Sequence, residues 1–188
     1  MPMIGQLIPD GSFACYHQDQ IQEISLQSYR GRWVVLVFYP GDFTFICPTE
    51  LEDLGTLHAE FQKLDAEVLG ISTDSVYVHK AWRDVSPAVR DLPFPLVADA
   101  GGRLARTLGI YVPQEGVALR GSFIFDPDGK LCVYEVHHNS VGRNMHELLR
   151  KVQAAAFVRE NGGVEVCPAG WRPGDRTLKP GLDLVGKI

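Results

Sequence analysis

The hydrophobic pattern is clearest between Trp33 and Tyr39, where seven apolar residues follow one another without a polar interruption. A continuous run of β-branched and aromatic side chains is typical of a strand buried on both faces in the middle of a sheet. Pro40 and Gly41 end the run, because both residues interrupt regular strands. Leucines and a phenylalanine then recur at helical spacing over 48–64, which predicts a helix.

Short apolar runs and helical patterns alternate along the rest of the first 160 residues. Further strands are predicted at 67–72 and 94–97, helices at 75–84, 102–108 and 141 to about 159, and a hairpin with arms at 122–125 and 131–136. An Asp-Pro-Asp-Gly turn joins the hairpin arms. This order predicts an α/β domain with a thioredoxin-like fold, in which a central mixed β-sheet is flanked by helices.

The composition changes after residue 163. The last 25 residues contain four glycines and three prolines and lack helical periodicity. We therefore predict a thioredoxin-like domain over 1–160 and an extended C-terminal tail over 161–188. We expect the tail to pack against another surface, such as a second subunit.

Composition and charge exclude several classes of function. The 188 residues suit one domain, and an ordinary composition with 45% hydrophobic residues excludes disordered and fibrous proteins. A net charge of −5 without a basic run disfavours binding to nucleic acid or to an anionic membrane. The longest apolar run is too short for a bilayer, which needs about 20 residues, and the start does not resemble a signal peptide. We expect a cytoplasmic protein.

Four cysteines, at positions 15, 47, 132 and 167, carry the candidate chemistry. They form no Cys-x-x-Cys pair, so the usual zinc and thioredoxin-type spacings are missing. Cys47 directly precedes Pro48, a residue favoured at the first turn of a helix, and Glu50 resembles half of a capping box. A thiolate at a helix N-terminus is stabilised by the helix dipole. The alternative is a small buried hydrophobic residue, and spacing alone leaves both interpretations open.

Two longer segments resemble a known family. Residues 38–50 contain Pro40-x-x-x-Thr44-x-x-Cys47 and resemble the segment around the peroxide-attacking cysteine of the peroxiredoxins. Residues 165–169 resemble the resolving-cysteine segment of the typical two-cysteine branch, and 182–188 are similar to the bacterial alkyl hydroperoxide reductase peroxidase subunits. With shorter matches at 72–75, 79–82 and 120–123, the resemblance covers essentially the whole chain.

The resemblance implies a role for each matching residue. It implies that Cys47 attacks a peroxide as the thiolate, since the thiol is a poor nucleophile. Arg120 would stabilise the thiolate and the charge on the leaving oxygen, and the Thr44 hydroxyl would hydrogen-bond the peroxide. Pro40 would shape the pocket and limit water. Two further charged residues match positions that hold the arginine in place in the family: Glu50 and Arg143.

The resemblance also implies a second step and a set of partners. The Cys47 sulfenic acid would condense with Cys167 to form a redox-active disulfide. In the family the second cysteine comes from the other subunit of a dimer, although the sequence separation permits an intrachain bond. The implied substrates are hydrogen peroxide and alkyl hydroperoxides. A flavoprotein reductase subunit or a thioredoxin would reduce the disulfide. A homodimer, gathered into a ring of five dimers, is the implied assembly.

The remaining candidates receive structural roles. We expect Cys15 and Cys132 to be ordinary packing thiols and His79 to pack or hydrogen-bond, and we predict no metal, flavin or haem. The sequence leaves two alternative functions to compare with peroxide reduction. A general thiol–disulfide oxidoreductase is disfavoured by the missing Cys-x-x-Cys pair. A ring-forming holdase chaperone with incidental thiols would suppress aggregation even after loss of Cys47.

Overall fold

A computed structural model describes residues 2–187. Met1 and Ile188, the last residue of the predicted tail, lie outside the described residues. The strands are β1 (Ser12–His17), β2 (Gln20–Ser25), β3 (Trp33–Phe38), β4 (Ala66–Ser72), β5 (Leu96–Ala98), β6 (Tyr111–Val112), β7 (Val117–Ala118), β8 (Arg120–Phe125) and β9 (Leu131–His137). The helices are α1 (Cys47–Thr56), α2 (His58–Lys63), α3 (Val76–Val85), α4 (Pro87–Arg90), α5 (Arg103–Thr107) and α6 (Met145–Glu160).

Seven of these strands form one mixed sheet in the order β2-β1-β5-β4-β3-β8-β9. Strands β3, β4 and β5 are parallel, while β8 lies antiparallel to β3 with Val37 opposite Ser122. The short strands β6 and β7 form a separate hairpin. The predicted thioredoxin-like α/β fold with a central mixed sheet is confirmed.

Strand β3 is buried on both faces, as its unbroken apolar run predicts. Val35 and Val37 pack with residues of α1, α2 and α6 on one face. Leu36 and Phe38 pack on the other face against α5. The two faces alternate because successive strand side chains point in opposite directions. The end of β3 is thereby fixed between two core layers, and the loop that follows it starts from a rigid base.

The predicted helix over 48–64 is wrong in one respect, because the structure breaks it at Leu57. The Leu57 N–H donates to the Leu54 carbonyl at 3.2 Å, and this hydrogen bond closes a tight turn of three residues. The ψ of Leu57 is −5°, which departs from α-helical geometry. Two shorter helices, α1 and α2, result. Helical spacing of apolar residues survives such a turn, so the pattern does not reveal it.

The predicted start of the last helix at residue 141 is also wrong. Asn144 has extended backbone, and its side chain accepts the Glu147 N–H at 3.0 Å, so it is the N-cap and α6 begins at Met145. Residues 140–143 form a loop that carries Arg143. No sequence pattern predicted the hairpin of β1 and β2, whose turn residues Gln18 and Asp19 have left-handed backbone.

The tail packs against α6 of its own chain. The buried Trp171 lies with its ring 5.1 Å from that of Phe157, and its carbonyl accepts a hydrogen bond from Arg150 at 2.8 Å. An isolated bridge pairs Val166 with Leu178. The division into 1–160 and 161–188 stays a prediction. None of the helices within residues 2–187 has the length and apolar character needed to cross a membrane.

Candidate active site

Cys47 is the first residue of α1, and Ile46 is the N-cap. The loop of residues 40–46 leads from the end of β3 into this helix, so the thiol lies at the positive end of the α1 dipole. The residue is fully buried and packs within the core layer that contains Tyr39 and Leu51. The predicted position at a helix N-terminus is confirmed.

Arg120 brings a positive charge to the sulfur. Its Nη1 lies 3.4 Å from Cys47 Sγ, and its Nε donates to the Asn139 carbonyl at 2.9 Å. Arg120 is the first residue of β8, and because β8 runs antiparallel to β3, this residue lies beside the end of β3, where α1 begins. Arg120 therefore places a buried positive charge in contact with the sulfur.

Glu50 holds Arg120 and Arg143 together one turn into α1. Its Oε2 accepts from Arg120 Nη1 and from Arg143 Nη2, both at 2.8 Å, and its Oε1 accepts from the Arg143 N–H at 2.7 Å and from Arg143 Nε at 3.0 Å. Burial alone would raise the pKa of Glu50, but the hydrogen bonds and charge of Arg143, with the charge of Arg120, outweigh it and hold that pKa below its usual range. Two guanidiniums and one carboxylate leave one net positive charge beside Cys47.

Thr44 and Pro40 line an open cleft of about 570 Å³ next to Cys47. The Thr44 hydroxyl donates to the Gly41 carbonyl at 2.8 Å, so donation to a peroxide requires it to turn away from that carbonyl. The Cys47 side chain is fully buried, and two of the residues that line the cleft are next to it: Ile46 in the sequence and Arg120 at 3.4 Å from the sulfur. A peroxide therefore reaches the sulfur only after the surrounding structure opens. Phe43 in this loop has a φ of 56°, a strained backbone for an aromatic residue.

A buried polar network holds the loop from below. Asp42 accepts from the Tyr39 hydroxyl at 2.8 Å and pairs with His79 Nδ1 at 2.7 Å, while its own N–H donates to Asp74 Oδ2 at 2.8 Å. Burial raises the pKa of Asp42, and the hydrogen bond from His79 opposes that rise. The expected hydrogen bond of His79 is confirmed. Its partner Asp42 was missed, since an acidic residue after Pro-Gly is usually a turn former.

Cys167 lies in a different part of the structure. Its Sγ is 3.8 Å from the Ala154 carbonyl, and with Cys132 it lines a cavity of about 680 Å³ between α6, β9 and the tail. Burial raises the pKa of Cys167 with Arg150 opposing the rise, and burial raises the pKa of Cys132 to about 12. Cys15 is fully buried in the sheet, and burial raises its pKa as well.

The structure does not bring Cys47 and Cys167 together within one chain. Trp33 lines the cavity that holds Cys167 and begins β3, whereas Cys47 lies beyond the end of β3. At about 3.3 Å per residue the six steps from Trp33 to Tyr39 span roughly 20 Å, and the cavity beside Cys167 shares no described lining residue with the cleft beside Cys47. Among residues 2–187, moreover, no three histidine, cysteine or acidic side chains are grouped so as to hold a metal.

Comparison with family models gives two matches. Residues 4–133 match the AhpC/TSA family, and residues 156–185 match the C-terminal domain of 1-Cys peroxiredoxin. The first match spans β1 to β8 and contains Pro40, Thr44, Cys47, Glu50 and Arg120. The second covers the last turn of α6 and most of the tail, including Cys167.

Curated proteins and solved structures resemble the whole chain. The selenocysteine-containing peroxiredoxin PrxU of Peptoclostridium acidaminophilum is 47% identical and covers 100% of this chain and 94% of its own length. Alkyl hydroperoxide reductase C of Pseudomonas aeruginosa is 42% identical, with 100% of both chains covered. The crystal structure of Enterococcus faecalis AhpC superposes with a TM-score of 0.86 at 41% identity, over 89% of this chain and 100% of that one. The reduced 2-Cys peroxiredoxin of Plasmodium vivax gives 0.91 at 29% identity, over 97% and 96%.

Proposed function

The chain belongs to the AhpC/TSA family of peroxiredoxins and is a thiol-dependent peroxidase, and we propose that Cys47 is the thiol that attacks the peroxide. The observation that carries this proposal is the position of its sulfur, at the start of α1 and 3.4 Å from a buried guanidinium. For the other three cysteines, at positions 15, 132 and 167, burial raises the pKa. A raised pKa makes these three thiols less suited to the attack, because the thiolate is the nucleophile.

The first step transfers one oxygen atom to the sulfur. The Cys47 thiolate attacks one peroxide oxygen, the O–O bond breaks, and the other oxygen leaves as hydroxide or alkoxide and takes up a proton, which leaves a Cys47 sulfenic acid. Arg120 stabilises the negative charge while it moves from sulfur to the leaving oxygen. Thr44 donates a hydrogen bond to the peroxide, and Pro40, which has no N–H, limits water beside the sulfur. Two residues hold Arg120 in position: Glu50 and Arg143.

The second step forms a disulfide. The Cys167 sulfur attacks the sulfenic sulfur of Cys47, an S–S bond forms, and the hydroxyl group leaves as water with the thiol proton. Within one chain the cavity that holds Cys167 and the cleft beside Cys47 share no described lining residue, which supports a reaction between Cys47 of one subunit and Cys167 of a second. In that reaction the tail leaves its site on α6, where burial keeps Cys167 protonated.

Two surfaces support a homodimer and a ring of five dimers. Strand β9 is the last strand of the sheet and exposes Tyr134 and Val136, and we infer that its edge beyond Leu131, which is hydrogen-bonded to Gln6, pairs with the same strand of a second chain. Phe43 and Phe45 are exposed in the loop that leads to Cys47, and Tyr77 is exposed on α3. Apolar surface of this kind is typical of a protein interface.

The family implies peroxide substrates and a disulfide-reducing partner. We propose that hydrogen peroxide and alkyl hydroperoxides are the substrates and that a flavoprotein reductase subunit or a thioredoxin reduces the disulfide. The cytoplasmic location predicted from the sequence stays a prediction. None of the similar proteins named above is described as a chaperone, and the proposal does not include that activity.

Peroxide consumption by single-cysteine variants tests the proposal. Cys47→Ser should consume no peroxide, because an alcohol is hardly ionised at neutral pH. Cys167→Ser should consume about one equivalent per chain and then stop as the sulfenic acid. Cys15→Ser is the matched control and should turn over like the wild type. Rapid consumption by the Cys47 variant would overturn the assignment.

A further inference from the structure

The cleft beside Cys47 is much larger than hydrogen peroxide requires. Its volume is about 570 Å³. Hydrogen peroxide has two heavy atoms and fills roughly 60 Å³, about twice the share of one water in the liquid. The apolar side chains of Phe45, Ile46 and Val117 line the cleft, and Phe45 is 94% exposed. The remaining space therefore suits an apolar organic group attached to the peroxide.

The charges that line the cleft are mostly negative. The acidic lining residues are Asp42, Asp74 and Glu115, and Arg120 is the basic one among the described lining residues. The Asp42 carboxylate faces inward to Tyr39 and His79. At the buried end, the net positive charge of Arg120, Arg143 and Glu50 faces Cys47, which attacks the peroxide as a thiolate. Two carboxylates, Asp74 and Glu115, remain without a positive partner in the cleft.

Hydrogen bonds hold the Asp74 carboxylate at the cleft and hold the turn that carries Glu115. Asp74 Oδ2 accepts from the Asp42 N–H and from the Ser72 hydroxyl, each at 2.8 Å. Glu115 lies in the turn between β6 and β7, and the neighbouring Gly116 carbonyl accepts from the Thr73 hydroxyl at 3.1 Å. This hydrogen bond ties the β6–β7 turn to the loop that carries Asp74. The Asp74 carboxylate and the turn that places Glu115 at the cleft are thus fixed features of the entrance.

We propose that Asp74 and Glu115 select substrates by charge, so that the chain reduces neutral alkyl hydroperoxides and disfavours hydroperoxides that carry a carboxylate. The proposal rests on the proposed function, since it concerns entry to the Cys47 site. An anionic substrate would approach two carboxylates with no free cation beside them. A neutral substrate of the same size would meet the same apolar surface without that repulsion.

The expected effect is moderate and depends on salt. One carboxylate at a partly exposed entrance should slow the reaction of an anion by about two- to fivefold at low ionic strength. Added salt screens exposed charges, so the rate constant for an anionic hydroperoxide should rise with ionic strength. The rate constant for a neutral hydroperoxide should stay the same.

Cumene hydroperoxide and its ring-carboxylated analogue are suitable probes, because they share one apolar group and differ by one charge. The rate of Cys47 oxidation would be measured by rapid quench and mass spectrometry, and each rate divided by that of the same probe with 2-mercaptoethanol. Glu115→Gln should accelerate the carboxylated probe about two- to fivefold and leave the neutral probe unchanged. Glu115→Asp keeps the charge and should keep the wild-type ratio of the rates for the neutral and the carboxylated probe. Glu23→Gln removes an exposed carboxylate from β2 and should also leave this ratio unchanged.

Each outcome separates selectivity from the proposed function. Equal corrected rates for the two probes in the wild type, or no effect of salt on the carboxylated probe, would overturn the selectivity. Equal acceleration of both probes by Glu115→Gln would also overturn it, because the residue would then act on loop opening. Consumption of hydrogen peroxide that does not require Cys47 would instead overturn the proposed function itself.

Discussion

Replacing Glu50 with glutamine tests the charge balance beside Cys47. Four hydrogen bonds from Arg120 and Arg143 end on the Glu50 carboxylate. The side chains of Glu50, Arg120 and Arg143 are 2%, 3% and 0% exposed, so solvent cannot replace the lost charge. In Glu50→Gln, two buried guanidiniums lose their shared anion, and the amide NH₂ of the new side chain meets further donors.

Removing one partner of a buried ion pair costs about 3–5 kcal/mol, and we expect a loss of that size in the free energy of unfolding. We also expect Arg120 to shift from Cys47. A loss of about 1.4 kcal/mol in transition-state stabilisation would slow Cys47 oxidation tenfold. Urea unfolding at fixed chain concentration measures the first effect, and stopped-flow mixing with hydrogen peroxide measures the second.

The pH dependence gives a second signature of the same interaction. Since the pKa of Glu50 is lowered in the folded protein, its contribution to stability is complete above the ordinary glutamate value of about 4.3. The contribution is lost as pH falls through the lower folded pKa. The wild type therefore loses this stability on acidification, and the difference from Glu50→Gln narrows.

The matched control is Glu52→Gln, which removes an exposed carboxylate from the same helix. It should change the free energy of unfolding by less than about 0.5 kcal/mol. A loss below about 1 kcal/mol for Glu50→Gln together with an unchanged rate of Cys47 oxidation would refute the reasoning. It would mean that Arg120 keeps its place without the carboxylate.

Three further predictions concern the thiols and the guanidinium. Arg120→Met should slow Cys47 oxidation about 100-fold, because a charged donor at the reacting atoms is lost, and stopped-flow mixing measures this rate. Cys132 should be alkylated slowly at neutral pH, because burial raises its pKa to about 12, and mass spectrometry of labelled peptides would detect fast labelling. Peroxide-treated wild type should migrate on a non-reducing gel at the mass of two 20.8-kDa chains, whereas the Cys167→Ser variant should migrate as one chain. A single-chain band for the wild type would indicate an intrachain disulfide.

The sequence predicts those features that depend on neighbours along the chain. The apolar run before Pro40 defines the buried strand, and Cys47 before Pro48 defines the helix start, because both signals are local. Arg120 and Arg143 could be selected only through resemblance to a family. Their contacts with Glu50 span 70 and 93 positions, and no local pattern encodes such a distance.

The remaining errors have physical causes. The N-cap Asn144 was missed because Val141 fits the apolar stripe of the helix although it lies in the preceding loop. Interruption of a helix at Leu57 leaves the apolar spacing intact. The pairing of Asp42 with His79 requires the loop after β3 to lie on α3, and tertiary packing alone determines that arrangement.

The separate positions of Cys47 and Cys167 within one chain have a genetic consequence. If the disulfide joins two subunits, each dimer contains two half-sites, and each half-site takes one cysteine from each chain. A mixed dimer of a Cys47→Ser chain and a Cys167→Ser chain keeps one complete pair, so two inactive alleles would complement each other. In a mixed dimer of Cys47→Ser and wild type, one centre still lacks its nucleophile while the other remains intact. Such an allele would lower activity in proportion to its dose and would not be dominant over the normal one.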